Sequence, residues 1–338
     1  MSSEALTETE ADLQPRNILV PIDFSPLSQK AIIYAQGFAE KFGSIVHLVH
    51  IVEPIPVVVG IDAAPVPPPI SRQDLAKFER DLADLAKELP PGLVGRTIVR
   101  EGWAVVEVIS VAKELQIDLI IVPTHGHSGI QRVLFGSNAE GIIRKAPCAV
   151  LVVRPAEREF INRSNTPEKR VTFALKNSLV PVDFSDSSRA ALGYAVTLAR
   201  RFQAKLICLH VIEIIPTAEP EMSIVTEMEL IRKSVFEATE RTLQEFLKGQ
   251  SAQIPRENVL TFGSASREII EIAEDRKADL IVMGTHRKTG GARFLLGGTA
   301  ERVVRHALCP VLVVREPKSE ASPPKAAQRQ QQLREAIA

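Results

Sequence analysis

The chain has 338 residues, room for about two ordinary domains, and 45% of them are hydrophobic, enough for real cores. Forty-one Lys and Arg balance forty-one Asp and Glu, which argues against a general nucleic-acid or membrane-surface binder, since both normally carry a basic excess. No apolar run approaches the roughly 18 residues that cross a bilayer, and the opening Met-Ser-Ser-Glu-Ala-Leu-Thr-Glu-Thr-Glu has neither the basic nor the apolar region of a secretory signal, so a cytoplasmic location is expected.

Residues 1–15 read as disordered. Ile18-Leu-Val-Pro-Ile-Asp-Phe-Ser25 reads as a short buried strand ending in a polar turn. Ser25 is placed to cap a helix that opens on Pro26. Ala31, Ala35, Phe38 and Phe42 give that helix an apolar stripe, and Gly43 stops it. Ile45 to Ile51 is a second strand, nearly continuous in apolar content, as expected where both faces of a sheet are covered. From Glu53 to Ile70 the Pro- and Val-rich chain reads as an extended loop. Leu75, Phe78, Leu82, Leu85 and Leu89 form the next helical stripe, and Arg96 to Arg100 a third strand.

Gly102 precedes a helix with Val105, Val108, Ile109 and Ala112 on its inner face. A strand from Asp118, a Gly-containing loop, a helix carrying Ala139, Ile142 and Ile143, and a strand from Ala149 complete the unit. Strands alternating with helices predict an α/β unit with a mostly parallel sheet. Residues 155–176 are charged and polar, as in a linker, and then the pattern restarts. Pro21, Tyr34 and His50 match Pro181, Tyr194 and His210, each 160 positions later; Gly102, Asp118 and Cys148 match Gly263, Asp279 and Cys309, each 161 later. The chain is thus a duplication: a first domain at 16–154, a linker at 155–176, a second domain at 177–316 and a tail at 317–338. Apolar edge strands need covering, so the last strands, Ala149–Val153 and Val311–Val314, are expected near the seam of an intramolecular pseudo-dimer, with further homodimerisation open. Cys148, Cys208 and Cys309 all lie in apolar strand-like segments and read as reduced core thiols.

The most closely repeated stretch carries the functional signal. Asp118-Leu-Ile-Ile-Val-Pro-Thr-His-Gly and Phe135-Gly-Ser-Asn-Ala-Glu in the first half answer to Asp279-Leu-Ile-Val-Met-Gly-Thr-His-Arg and Leu296-Gly-Gly-Thr-Ala-Glu in the second. Gly136 and Gly297 each end a loop and open a helix, where unpaired backbone N–H groups and the helix dipole favour an anion. With the Pro-x-Asp-Phe-Ser turn, the His-ending second strand and the Cys-containing last strand, these motifs make both halves resemble the universal stress protein family. The resemblance spans about 17–154 and 178–315. It implies a doubly wound five-stranded domain in each half, of the adenine nucleotide alpha hydrolase-like kind, in a cytoplasmic stress-response protein that works through protein partners. Some members bind ATP or another adenine nucleotide, with or without Mg, and others do not.

The family's nucleotide pattern is Gly, two residues, Gly, nine residues, Gly, then Ser or Thr. The first half matches at Gly126, Gly136 and Ser137, with Pro123 at the first glycine. The second matches at Gly284 and Gly297, with Arg287 at the second glycine, and Gly298 followed by Thr299 at the hydroxyl. Asp23 and Asp183 match the aspartate that meets the ribose-adenine region, and Ile51 and Val211 the residue whose backbone faces adenine. Proline at 123 fixes φ and deletes a donor, whereas the Arg287 guanidinium suits a phosphate. The departures leave a second reading open, a nucleotide-independent scaffold of the same fold.

Each aspartate either holds a ribose hydroxyl or accepts backbone N–H bonds in its own turn. His50 and His210 read as satisfied core histidines. His125 and His127 share a loop but lack a second ligand cluster for a metal. Arg132 and Arg293 either meet a polyphosphate or lie on an exposed face. No Ser-His-Asp, Cys-His or paired-carboxylate set is argued by spacing, and the Walker A pattern is absent. No catalytic residue is therefore named, and at most a slow ATPase is expected.

Overall fold

The computed structural model describes residues 14–54, 71–124, 136–155, 157–164, 171–213, 225–249, 254–285 and 296–315. The first half runs β1 (Asn17–Pro21), α1 (Pro26–Phe42), β2 (Ile45–Val52), α2 (Arg72–Ala86), β3 (Val94–Glu101), α3 (Ala104–Glu114), β4 (Leu119–Pro123), α4 (Ser137–Lys145) and β5 (Ala149–Val153). Two short strands follow, β6 (Ile161–Arg163) and β7 (Val171–Phe173). The second half runs β8 (Asn177–Pro181), α5 (Asp186–Phe202), β9 (Lys205–Ile212), α6 (Val225–Phe246), β10 (Arg256–Phe262), α7 (Ala265–Asp275), β11 (Leu280–Gly284), α8 (Gly298–His306) and β12 (Val311–Val314).

Local chemistry sets the helix ends. The Ser25 hydroxyl accepts the Ser28 N–H, Pro26 opens α1, and Gly43 closes it at φ +72°. The second copy repeats the start, with Ser185 accepting from Ser188, but puts Gln203 in the left-handed closing position at φ +57°. Asp118 Oδ2 accepts the N–H groups of Arg16 and Asn17 at 2.8 and 2.9 Å. Asp279 does the same for Lys176 and Asn177. The repeated aspartate thereby ties the entry of the first strand of each half to the fourth.

Among the described residues the ten long strands form one sheet, ordered β10-β9-β8-β11-β12-β5-β4-β1-β2-β3. Each half is thus a five-stranded, doubly wound α/β unit with all its pairings parallel. The halves meet where β12 pairs antiparallel with β5, Leu312 opposite Leu151. Strand side chains alternate between two cores. Ile18 and Val20 join a core under α1, α2, α5 and α6, while Leu19 joins one under α3, α4, α7 and α8. Both cores run across the seam, because each draws residues from both halves.

The segment expected to act as a plain linker has structure of its own. Beta strands β6 and β7 pair antiparallel, and Phe160 and Ile161 are buried. Its charged residues conceal that apolar pair. The expectations for the first residues, the loop from Glu53 and the C-terminal tail fall on 1–13, 55–70 and 316–338, outside the described residues.

Candidate functional site

The sheet order places a switch point in each half between the first and fourth strands. Beta strand β1 neighbours β4, and β8 neighbours β11. The helix after β1 packs on one face and the helix after β4 on the other, the arrangement in which open α/β sheets form a ligand crevice at the carboxyl ends of their strands. Asp23 and the start of α4 flank that crevice in the first half; Asp183 and the start of α8 flank it in the second.

Asp23 Oδ1 accepts the Ser25 N–H at 3.0 Å, and Asp183 Oδ1 accepts the Ser185 N–H at 3.0 Å. The aspartates therefore shape their own turns, and Asp183 Oδ1 also accepts the Ser185 hydroxyl. Between each aspartate and serine the backbone takes a left-handed conformation, at φ +60° for Phe24 and +63° for Phe184. That conformation is uncommon for a bulky side chain and costs about 1–3 kcal/mol. The ring contacts that hold it are the same in both halves. Phe24 lies 4.7 Å from the His50 ring, and Phe184 lies 4.4 Å from His210. Each histidine fixes itself by an Nδ1 bond at 2.7 Å, His50 to the Ile22 carbonyl and His210 to that of Val182. Both are satisfied, as their positions at strand ends imply. Ile51 and Val211 follow them and are half-buried against the core under α3, α4, α7 and α8.

Gly136 caps α4, but its own amide is spent: it donates to the Thr124 carbonyl at 2.8 Å. A Cβ on Gly136 would stand 3.0 Å from that carbonyl, so a close backbone approach requires the glycine. What remains for an anion is the first turn beyond it, Ser137 and Asn138, both exposed. In the second half Gly297 caps α8, and Gly298 and Thr299 form the first turn. Among the described residues a Cβ on Gly298 would meet nothing within 4 Å. Gly284 has a packing reason instead: a Cβ there would stand 2.4 Å from the Ser187 carbonyl on α5. Gly126, His125, His127, Arg132, His286, Arg287 and Arg293 lie outside the described residues.

Sequence reasoning missed Glu53. Its Oε1 accepts the Ala104 N–H at the start of α3, at 2.9 Å, and lies 3.4 Å from Asn138 Nδ2 at the start of α4. A protein carboxylate thus sits at the mouth of the first crevice. The signal was available, because the strand end His-Ile-Val-Glu53 recurs as His-Val-Ile-Glu213. Thr299 replaces Asn138 in the second copy. Burial pushes the three thiols up, Cys148 and Cys309 to about 12 and Cys208 to about 11, which keeps them protonated and unreactive. Among the described residues no helix is long and apolar enough to cross a membrane.

Comparison with known proteins agrees with this geometry. A universal stress protein of Methanocaldococcus jannaschii is 38% identical over 149 residues, which are 43% of this chain and 85% of that protein. One from Mycolicibacterium smegmatis is 28% identical over 309 residues, 88% of this chain and 96% of its own length. The crystal structure of a universal stress protein from Archaeoglobus fulgidus matches with a TM-score of 0.60 at 21% identity, over 88% of this chain and 96% of that one, a likeness of fold alone. The family profile described as the universal stress protein family matches twice, over residues 15–154 and 175–315, and the chain therefore belongs to that family, with two copies in tandem.

Proposed function

We propose that the chain is a cytoplasmic stress-response protein that binds ATP or another adenine nucleotide at the two crevices and alters its protein contacts in response. One observation supports this above the rest: both halves set an aspartate and a glycine-capped helix on opposite sides of a switch point. On this reading Asp23 or Asp183 receives the ribose, and the backbone beside Ile51 or Val211 meets the base. The first turn of α4 or α8 receives the phosphates, helped by the hydroxyl of Ser137 or Thr299. On this reading the site is a binding site with at most a slow ATPase activity.

Equilibrium dialysis of the full chain with radiolabelled ATP tests this. Two nucleotides per chain are expected, and no retention at millimolar nucleotide ends the reading. Gly298→Glu should remove the second-half nucleotide without harming the fold. A glutamate suits a helix N-terminus yet repels a phosphate there. Ser137→Glu should do the same in the first half.

A nucleotide-independent scaffold is the second reading. The Glu53 carboxylate beside Asn138, and Pro123 ending β4, favour it for the first half. It predicts no thermal shift with ATP.

A further inference from the structure

The segment that joins the two halves is fastened by a buried acid. The Glu157 side chain has no exposed surface, and Lys30 Nζ from α1 lies 2.9 Å from its Oε1. The Arg154 N–H donates to its Oε2 at 3.0 Å, and the Tyr34 hydroxyl lies 3.4 Å from Oε1. Lys30 is shared: it also donates to the Arg154 carbonyl at 2.6 Å and pairs with the half-exposed Glu159 at 3.0 Å. The Arg154 guanidinium and the Cys309 thiol, at the end of β5 and just before β12, feel the same carboxylate. These are the charged and titratable groups facing Glu157 from α1, the joining segment and the two seam strands.

What Glu157 fastens is a strap across both halves. Phe160 and Ile161 are buried, and a Cβ on Gly37 of α1 would stand 3.0 Å from Ile161 and 3.1 Å from Phe173. On the other side the Phe173 ring lies 4.9 Å from Phe202 of α5. Farther along, Arg163 pairs with Glu88 at 2.6 Å. The second copy has Ala190 and Lys318 where the first has Lys30 and Glu157, so the arrangement is not part of the repeat.

We propose that Glu157 is a proton-operated latch: its protonation favours seating of the strap on α1 and α5, and its ionisation loosens the strap. This is independent of nucleotide binding. Burial pushes the carboxyl up to about 7, although Lys30 and the Arg154 amide pull it down. In an unseated strap the carboxyl meets water and returns toward its ordinary value of 4.5. Below that value both forms are protonated and seating carries no penalty. As pH rises from about 4.5 to about 7, the unseated form sheds its proton first, so seating weakens, and above 7 the loss levels off. Across the whole window the seating equilibrium shifts by roughly two orders of magnitude.

The test is amide hydrogen exchange of the full chain between pH 5 and 8, with rates divided by the intrinsic rate at each pH. Protection of the amides in Ile161–Arg163 and Val171–Phe173 should fall at least tenfold as pH rises, while that of β1 and β4 stays level. In Glu157→Gln the strap protection should stay level too. Lys30→Met, which removes the cation that lowers the carboxyl, should move the wild-type transition to higher pH. A flat wild-type profile, an unchanged slope in Glu157→Gln or an unmoved transition in Lys30→Met each overturns the proposal. If Glu157→Gln does not fold, the wild-type profile and Lys30→Met still decide it.

Discussion

The Arg154 guanidinium donates to the Ala307 carbonyl at 2.6 Å, so the first half closes the end of a helix in the second. Arg315 returns the contact, donating to the Ile143 carbonyl at 2.8 Å and also to that of Arg144. A cation at a helix C-terminus satisfies orphan carbonyls and opposes the helix dipole. Alongside, Arg144 pairs with Glu301 and Arg305 with Glu140 across the same seam, and each arginine also pairs with the glutamate of its own helix. The two crevice helices, α4 and α8, are therefore each capped at the far end by the opposite half. Arg154→Met and Arg315→Met should each lower stability by about 1–3 kcal/mol, read as a shift in the urea midpoint. A change within error for both would show that water replaces these caps.

Gly284 ends β11 against α5. Gly284→Ala should destabilise the chain by about 1–3 kcal/mol, because the Ser187 carbonyl cannot yield without moving the helix. Gly298→Ala, whose Cβ would meet none of the described residues within 4 Å, should be neutral or stabilising. Urea titrations of the pair separate a packing glycine from one that the fold does not need.

Gln203 closes α5 in the left-handed region, where its counterpart in α1 is Gly43. Gln203→Gly should raise stability by about 0.5–1 kcal/mol, since glycine escapes the Cβ clash but gives up chain entropy. A loss in the melting temperature would mean that the Gln203 side chain matters more than its backbone.

His47 supplies acid sensitivity of the opposite sign to Glu157. Its Nδ1 accepts the Arg96 N–H at 3.0 Å, and burial, then the Arg96 charge, hold its pKa below the ordinary 6.5. The folded chain binds fewer protons here than the unfolded one. Stability from this group is complete above 6.5 and falls as pH drops toward the lowered value. His47→Gln keeps an acceptor but cannot titrate, so it should flatten the loss between pH 7 and 5. The comparison belongs in a Glu157→Gln background, where the opposing titration is gone.

Glu53 places a negative charge where the proposed phosphates of the first half would lie. Glu53→Gln should tighten nucleotide binding at that crevice about twofold to fivefold, the range of a helix-terminal charge effect. Isothermal titration in the Gly298→Glu chain isolates the first site. Weaker binding would show that the carboxylate positions the ligand.

The strands, helices and caps of each half were legible because short patterns decide them. Ser25 and Pro26 start a helix wherever they stand before an apolar stripe, and Gly43 ends it by the freedom of its own φ. The crevice was legible in outline only. Gly136 announces a loop meeting a helix, yet its amide turns inward to Thr124. The left-handed Phe24 was not legible, because the turn depends on a ring contact with His50, distant in sequence.

By itself the sequence determined that one α/β unit is written twice, since apolar spacing and capping residues act over a few neighbours and survive duplication. The last strands do form the seam the sequence suggested, β5 beside β12, but only the tertiary structure decided their antiparallel register and what fastens them: Arg154 under Ala307, and Glu157 buried against Lys30. The reason is one of range. These contacts join groups more than a hundred positions apart, and their strength comes from shared exclusion of water, which no local run of residues records.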